Sequence, residues 1–226
     1  MTPRLLRIGA SQSPVVVVDD VMGDVPAIVA MAAALAPFPP ASGNGYPGVR
    51  RVLTPADGAG HGYATALLEA VAPFIGGAFA VDRFDWIEAS FSMITAAPHA
   101  LSPAQRMPHF DSTDPGYLAV LHYLSDTPGS GTAFYRQRAT NIERVDAANR
   151  DDFLAAARRA GAARTGYIAG SDTAYERIGM VEARVDRVVI YQGSLLHSGI
   201  IPPDMPLSAD PRIGRLTANM FVQARP

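Results

Sequence analysis

The chain reads as a mainly β protein, a sandwich or jelly roll, with helices ahead of the strands and one helical insertion among them. Two features predict this. From about Phe84 onward, short strand-like runs alternate with turn signals such as "TPGSG" and "PPDMP", the spacing expected of a two-sheet β-framework. Before Phe84 the texture is α-rich, and a second helical pattern appears only near Arg150.

Taken in order, "PVVVVDD" is a short β-branched run with a sharp polar stop, a buried strand. "DVPAIVAMAAALAPF" follows as a helix: Asp24 caps it, Pro26 suits its first turn and Pro37 stops it. "HGYATALLEAVAPFIGGAFA" predicts a second helical region, interrupted near Pro73 and ending around Gly76-Gly77. The strand-like runs are then "WIEASFSMIT", "GYLAVLHYLS", "GTAFYRQRAT", "RVVIYQGSLLHSG" and "RLTANMFVQA". Between the third and fourth, Asn149 can cap "RDDFLAAARRA", with acids in its first turn, arginines in its last and Gly161 as the stop. Residues after it, to about Met180, look irregular. The expected organisation is one domain over 1–226: helical support in 1–83, a β-core in 84–226, and an insertion at about 145–180 that is a candidate lid or binding loop.

Composition narrows the function. The 226 residues include no Cys, which excludes disulfides, iron–sulfur clusters, Cys-ligated zinc and thiol nucleophiles. Any metal must be held by His, Asp and Glu. Net charge is −2 with no long basic run, so neither nucleic acid nor an anionic membrane is an expected partner. "VVVV" is too short for a signal peptide, and no apolar run is expected to span a bilayer. The expectation is a soluble, cytoplasmic protein.

"MPHFDSTDP" carries the candidate chemistry. On an extended segment His109 and Asp111 point the same way and can offer one imidazole and one carboxylate to one cavity. Alone, such a pair is more often a polar strand end than a metal site. "GSLLHSG" adds His197, placed as a partner from a later strand, and two His with one carboxylate is the ligand set of non-haem ferrous oxygenases. Arg215 and Thr217 again share a strand face; a guanidinium inside an apolar barrel needs an anion, and its planar fork suits a carboxylate. Tyr123, if it points inward, can donate to the same carboxylate. Arg212 is the alternative to Arg215, but it follows Pro211 in a loop.

These pieces imply a co-substrate with a metal-chelating end and a carboxylate end, the shape of 2-oxoglutarate. "PHFDS", "LAVLHYLSDTPGSGTAFY" and "GSLLHSG…GRLTANMF" resemble the Fe(II)/2-oxoglutarate-dependent dioxygenases, especially their prolyl-hydroxylase-like branch. "GNGYPGVR" and "GTAFYRQR" look like a bacterial family of uncharacterised function. The resemblance implies a double-stranded β-helix, iron on His109, Asp111 and His197, and 2-oxoglutarate on Arg215, Thr217 and Tyr123. It also implies O₂-dependent hydroxylation of an unactivated C–H bond in a small molecule or peptide, with halogenation disfavoured by Asp111. Two other readings stand beside it: a non-catalytic jelly-roll binding module, and a cupin-like metalloenzyme that does not use 2-oxoglutarate.

The remaining features take simpler readings. His61, His99 and His122 are structural, His122 lying on the strand face opposite Tyr123. Tyr46 to Gly48 is most simply a turn, with a place near the site entrance as the lesser reading, and Gly129 to Thr132 is a hairpin turn. Arg136 and Arg138 form a solvated face; Tyr167 and Tyr175 are weak substrate-contact candidates.

Overall fold

The computed structural model describes residues 1–41, 45–161 and 164–225. The chain opens with two antiparallel strands, β1 (Thr2–Ile8) and β2 (Ser13–Asp19). Helix α1 (Val25–Ala34), strand β3 (Gly48–Val52) and helix α2 (Ala59–Phe79) follow. Next come β4 (Arg83–Ile94), β5 (Tyr117–Tyr123), β6 (Gly131–Gln137) and helix α3 (Arg150–Gly161). The chain then runs through β7 (Tyr175–Glu182), β8 (Arg187–Gln192), β9 (His197–Ile200) and β10 (Leu216–Arg225).

Among the described residues ten strands make two sheets. The major sheet has the order β1-β2-β8-β5-β10-β4-β3, and the minor sheet the order β7-β6-β9. The strand pairs are antiparallel. This is the expected mainly β jelly roll with flanking helices.

The valine run explains how the layers stack. Val16 and Val18 pack with α2 on the outer face of the major sheet, while Val15 and Val17 face the minor sheet. A strand covered on both faces reads as an unbroken apolar run rather than an alternating one. The outer layer is sealed by Leu67, Leu68, Val71 and Ile75 of α2 against Phe91, Met93, Met220 and Val222. Replacing a residue as buried as Leu67 by Ala is expected to cost about 2–5 kcal/mol. Asp24 does cap α1, its carboxylate accepting from the Ala27 N–H at 3.1 Å.

Several elements differ from the sequence expectation. Residues 1–83 are not only helical support, since β1, β2 and β3 belong to the major sheet. Helix α2 is not interrupted at Pro73 and runs through Gly76-Gly77 to Phe79. Pro73 and Glu69 lie on the exposed side, so the Glu69 carbonyl released by the proline can be hydrated while the buried stripe continues. By length and mean hydropathy (1.3) α2 could cross a membrane, contrary to expectation; here its apolar stripe is packed on the sheet. The run "RVVIYQGSLLHSG" is two strands, β8 in the major sheet and β9 in the minor. The irregular stretch ends earlier than Met180, because β7 begins at Tyr175. Asn149 does not use its side chain on the α3 backbone; its amide oxygen accepts from the Asp146 N–H at 3.0 Å, closing the turn that leads into the helix.

Candidate active site

The two sheets enclose a cavity of about 470 Å³ that holds all three candidate metal ligands. His109 and His197 exchange backbone hydrogen bonds, each N–H donating to the other's carbonyl at 2.9 Å. This bridge sets the two imidazoles with centroids 4.3 Å apart. Asp111 is fixed two residues on, where its N–H donates to the Gly193 carbonyl at 2.7 Å. Gly193 permits that approach: a Cβ there would lie 2.7 Å from the Tyr117 ring and 3.1 Å from the Asp111 Cβ.

The ligand atoms of His109, Asp111 and His197 all lie within 4.8 Å of one another. Asp111 stands 3.9 Å from His109 Nε2 and 3.6 Å from His197 Nε2. These distances are too long for hydrogen bonds, so the three side chains converge without satisfying one another. His197 Nδ1 lies 2.8 Å from the Leu195 carbonyl, which can only accept. Nδ1 therefore carries the proton and Nε2 turns its lone pair to the cluster. Burial pushes the His197 pKa down to about 4. Confinement, reinforced by His197, does the same for His109, whose accessible half faces the cavity. Both rings are neutral donors at neutral pH. Burial raises Asp111 to about 6, against the pull of His109 and Arg50. A divalent cation between two neutral imidazoles and this carboxylate fits the donor set and would hold Asp111 ionised.

Arg215 is 5% exposed and lines the same cavity. Its Nε donates to Ser130 Oγ at 2.7 Å, and Ser130 in turn donates to the Ile200 carbonyl at 2.9 Å. Its guanidinium lies over the Tyr123 ring, 5.7 Å from the centroid. No carboxylate pairs with it among the described residues. Arg212, by contrast, is on the surface loop, 3.7 Å from Asp210. Thr217 is buried beside Arg215 and donates a long hydrogen bond, 3.4 Å, to the Ser92 carbonyl.

Tyr123 does point inward, opposite Thr217 across the strand pair. Its hydroxyl, however, meets Thr132 Oγ1 at 2.7 Å; Thr132 lines the cavity, and Tyr123 is not among the lining residues. His122 takes the other face, where it joins Tyr63 and Asp186. His61 stacks on Trp86, and His99 sits in a short helical turn away from the site. Arg136 is paired with Glu143 and Glu176, and Arg138 Nε donates to the Asp172 carbonyl. Tyr167 reaches the cavity and donates to the Ala96 carbonyl at 2.8 Å; Tyr175 is buried elsewhere, under α3.

Sequence reasoning passed over several lining residues. Tyr191 packs edge-on against His197, centroids 4.7 Å apart. Arg50, on edge strand β3, projects over Phe221 and is held by Ser90 and Glu88. Asn219 lies in the same wall, two residues beyond Thr217 on β10. Period-2 extension of the Arg215/Thr217 pattern signals Asn219. Nothing local signals Arg50. Ser130 sits inside the stretch read as a hairpin turn, and its contact with Arg215 is visible only in three dimensions.

Fold and site define a jelly-roll protein with a two-histidine, one-aspartate cluster and a buried arginine sharing one cavity. The chain belongs to a family of unknown function, DUF6445, whose model matches residues 1–222; of the "GNGYPGVR" stretch, Gly43 and Asn44 lie outside the described residues. No curated protein sequence matches it. Solved structures share its fold at low identity. HygX from Streptomyces hygroscopicus, with nickel and 2-oxoglutarate bound, has a TM-score of 0.57 at 14% identity, covering 93% of this chain and 83% of its own. The non-haem alpha-ketoglutarate-dependent epimerase SnoN from nogalamycin biosynthesis gives 0.55 at 16%, covering 97% and 82%. A Pseudomonas putida prolyl-4-hydroxylase gives 0.52 at 12%, covering 96% and 95%.

Proposed function

We propose that the protein is an Fe(II)- and 2-oxoglutarate-dependent oxygenase that hydroxylates an unactivated C–H bond of a small molecule or peptide. The observation that carries this reading is the pairing, in one cavity, of an unsatisfied His109–Asp111–His197 cluster with a buried Arg215 guanidinium that has no carboxylate partner among the described residues. An uncompensated buried cation is costly unless an anion arrives to meet it. A 2-oxo diacid, chelating through one end and ionised at the other, satisfies both halves at once. The structural neighbours support the reading, since HygX binds nickel and 2-oxoglutarate, and in a further complex hygromycin B as well.

In this reading His109, Asp111 and His197 would hold the iron, two neutral imidazoles and a carboxylate being the donor set that a ferrous ion takes. When bound, iron with 2-oxoglutarate would supply the oxidising chemistry for which O₂ is the oxidant and succinate the co-product. The chain's part is positioning. The Leu195 carbonyl holds His197 in one tautomer, and Gly193 seats Asp111. Arg215, anchored by Ser130 and supported on the Tyr123 ring, orients the distal carboxylate with Thr217. Tyr123 thus acts through the Arg215 guanidinium and Thr132. The apolar walls, Ile94, Leu121 and Phe221 among them, keep bulk water from the reacting centre. The test is succinate formation from 2-oxoglutarate that requires Fe(II) and O₂ and disappears in His197→Ala. Activity independent of 2-oxoglutarate would favour a cupin-like enzyme, and no metal binding at all a non-catalytic module.

A further inference from the structure

The hydroxyl of Tyr46 is buried without a hydrogen-bond partner, one of five such side-chain atoms among the described residues. It belongs to the "YPG" segment, which sequence reasoning took as a turn. The turn exists, but its placement matters more. Gly48 starts β3 so close to β4 that a Cβ would lie 1.9 Å from the Met93 carbonyl. Pro47 then offers its carbonyl to the N–H groups of Thr95 and Ala96, both at 3.2 Å. Gln105 donates to the Tyr46 carbonyl at 3.3 Å. The segment is clamped from two sides, and the Tyr46 ring packs with Ile94, Ile201 and Tyr167.

This clamp aims the phenol into the Arg215 end of the cavity. Its hydroxyl faces Arg215 and Arg50 and lies beside the Thr217 and Ser92 side chains, yet none of these gives it a hydrogen bond of normal geometry. A buried phenol with no partner is costly, and two cations nearby make an anion the fitting acceptor. The Tyr123 hydroxyl, by contrast, already has a partner in Thr132 Oγ1 at 2.7 Å, a bond in which either oxygen can donate.

We propose that Tyr46 donates its hydroxyl to the distal carboxylate of 2-oxoglutarate beside Arg215, and so sets the preference for a 2-oxo diacid over 2-oxo monoacids. This rests on the proposed function but assigns a residue from outside the β-core to it. Burial raises the Tyr46 pKa, the two arginines opposing, so the phenol keeps its proton and serves as a donor.

The test is anaerobic calorimetry on the ferrous-loaded full chain, comparing 2-oxoglutarate with 2-oxobutyrate, which chelates a metal alike but lacks the distal carboxylate. Tyr46→Phe keeps the ring and its packing, and an unchanged melting temperature checks that. It should weaken 2-oxoglutarate roughly 10-fold or more, the scale of a hydrogen bond to a charged group, and leave 2-oxobutyrate unchanged. Unchanged 2-oxoglutarate affinity would overturn the proposal. So would an equal loss for both acids, which marks a packing role. If the unsubstituted protein binds iron but neither acid, the proposed function itself falls, and the inference with it.

Discussion

A histidine–aspartate group lies on each side of the major sheet, one carried by β5 and the other by β9 of the minor sheet with the segment bridged to it, and the two are built on opposite principles. On the helix side His122 Nδ1 lies 2.7 Å from the Tyr63 hydroxyl and Nε2 lies 3.0 Å from Asp186. Asp186 also accepts from the Met22 and Gly23 N–H groups at 2.8–3.1 Å. Every side-chain polar atom there has a partner, and the group ties the turn before α1, helix α2, β5 and the turn before β8 together. On the cavity side His109, Asp111 and His197 approach to 3.6–3.9 Å without bonding, beside an arginine with no counter-ion among the described residues. Residue type does not separate structure from site. Saturation does: a closed network spends its hydrogen-bonding capacity on the fold, an open one reserves it for a ligand.

The comparison makes graded predictions. The largest effect belongs to His197→Ala, which should lower ferrous-iron affinity by more than the roughly 10–100-fold typical of losing an outer-shell partner. Equilibrium metal titration measures it, and the metal-free protein should still fold, its melting temperature lowered only by the ring packing and the Leu195 hydrogen bond that are lost. Next, Arg215→Met should weaken 2-oxoglutarate by about 2–5 kcal/mol, the scale of truncating one side of a buried charge pair, while iron affinity stays. Because it removes an uncompensated buried cation, it should leave the metal-free protein as stable or more so. A clear drop in melting temperature would show that the arginine serves the fold.

The closed network should behave in reverse. Asp186 is subject to burial, which raises its pKa, but the hydrogen bonds from His122, Gly23 and Met22 together hold it down at about 2. A depressed carboxylate stabilises the fold above its unfolded pKa, near 3.8, and that contribution is lost as pH falls toward 2. Asp186→Asn should therefore cost roughly 2 kcal/mol at neutral pH and flatten the acid limb of the stability curve between those two values. Asn tolerates the left-handed backbone found there, φ 61°, so the loss reports the charge. Metal and 2-oxoglutarate affinities should not move. The smallest effect is expected of Arg212→Ala: within about 0.5 kcal/mol in stability and nothing in 2-oxoglutarate affinity. A loss of affinity there would hand the carboxylate role back to the loop.

What could be read from the sequence follows the same division between local and distant causes. The two-residue period put His109 with Asp111 and Arg215 with Thr217, and both pairs share the cavity. "VVVV" announced a strand covered on both faces. Strand β1 was illegible because it is an exposed edge, with no apolar alternation, and pairing with β2 holds it. The break between β8 and β9 hides inside "GSLL", whose leucines are wholly buried although they form a corner between sheets. Tyr123 was placed on the right face, but its hydroxyl partner comes from the other sheet, which no register argument reaches. Tyr46 and Arg50 lie outside the β-core in sequence, and only the docking of β3 on β4 brings them to the site.

The most direct test of the central claim uses ferrous iron and 2-oxoglutarate added to the metal-free protein without oxygen. The account predicts the visible charge-transfer band of a 2-oxo acid chelated to ferrous iron, lost in His197→Ala and shifted to higher 2-oxoglutarate concentration in Arg215→Met. Iron binding without that band, or a band indifferent to both substitutions, would contradict it.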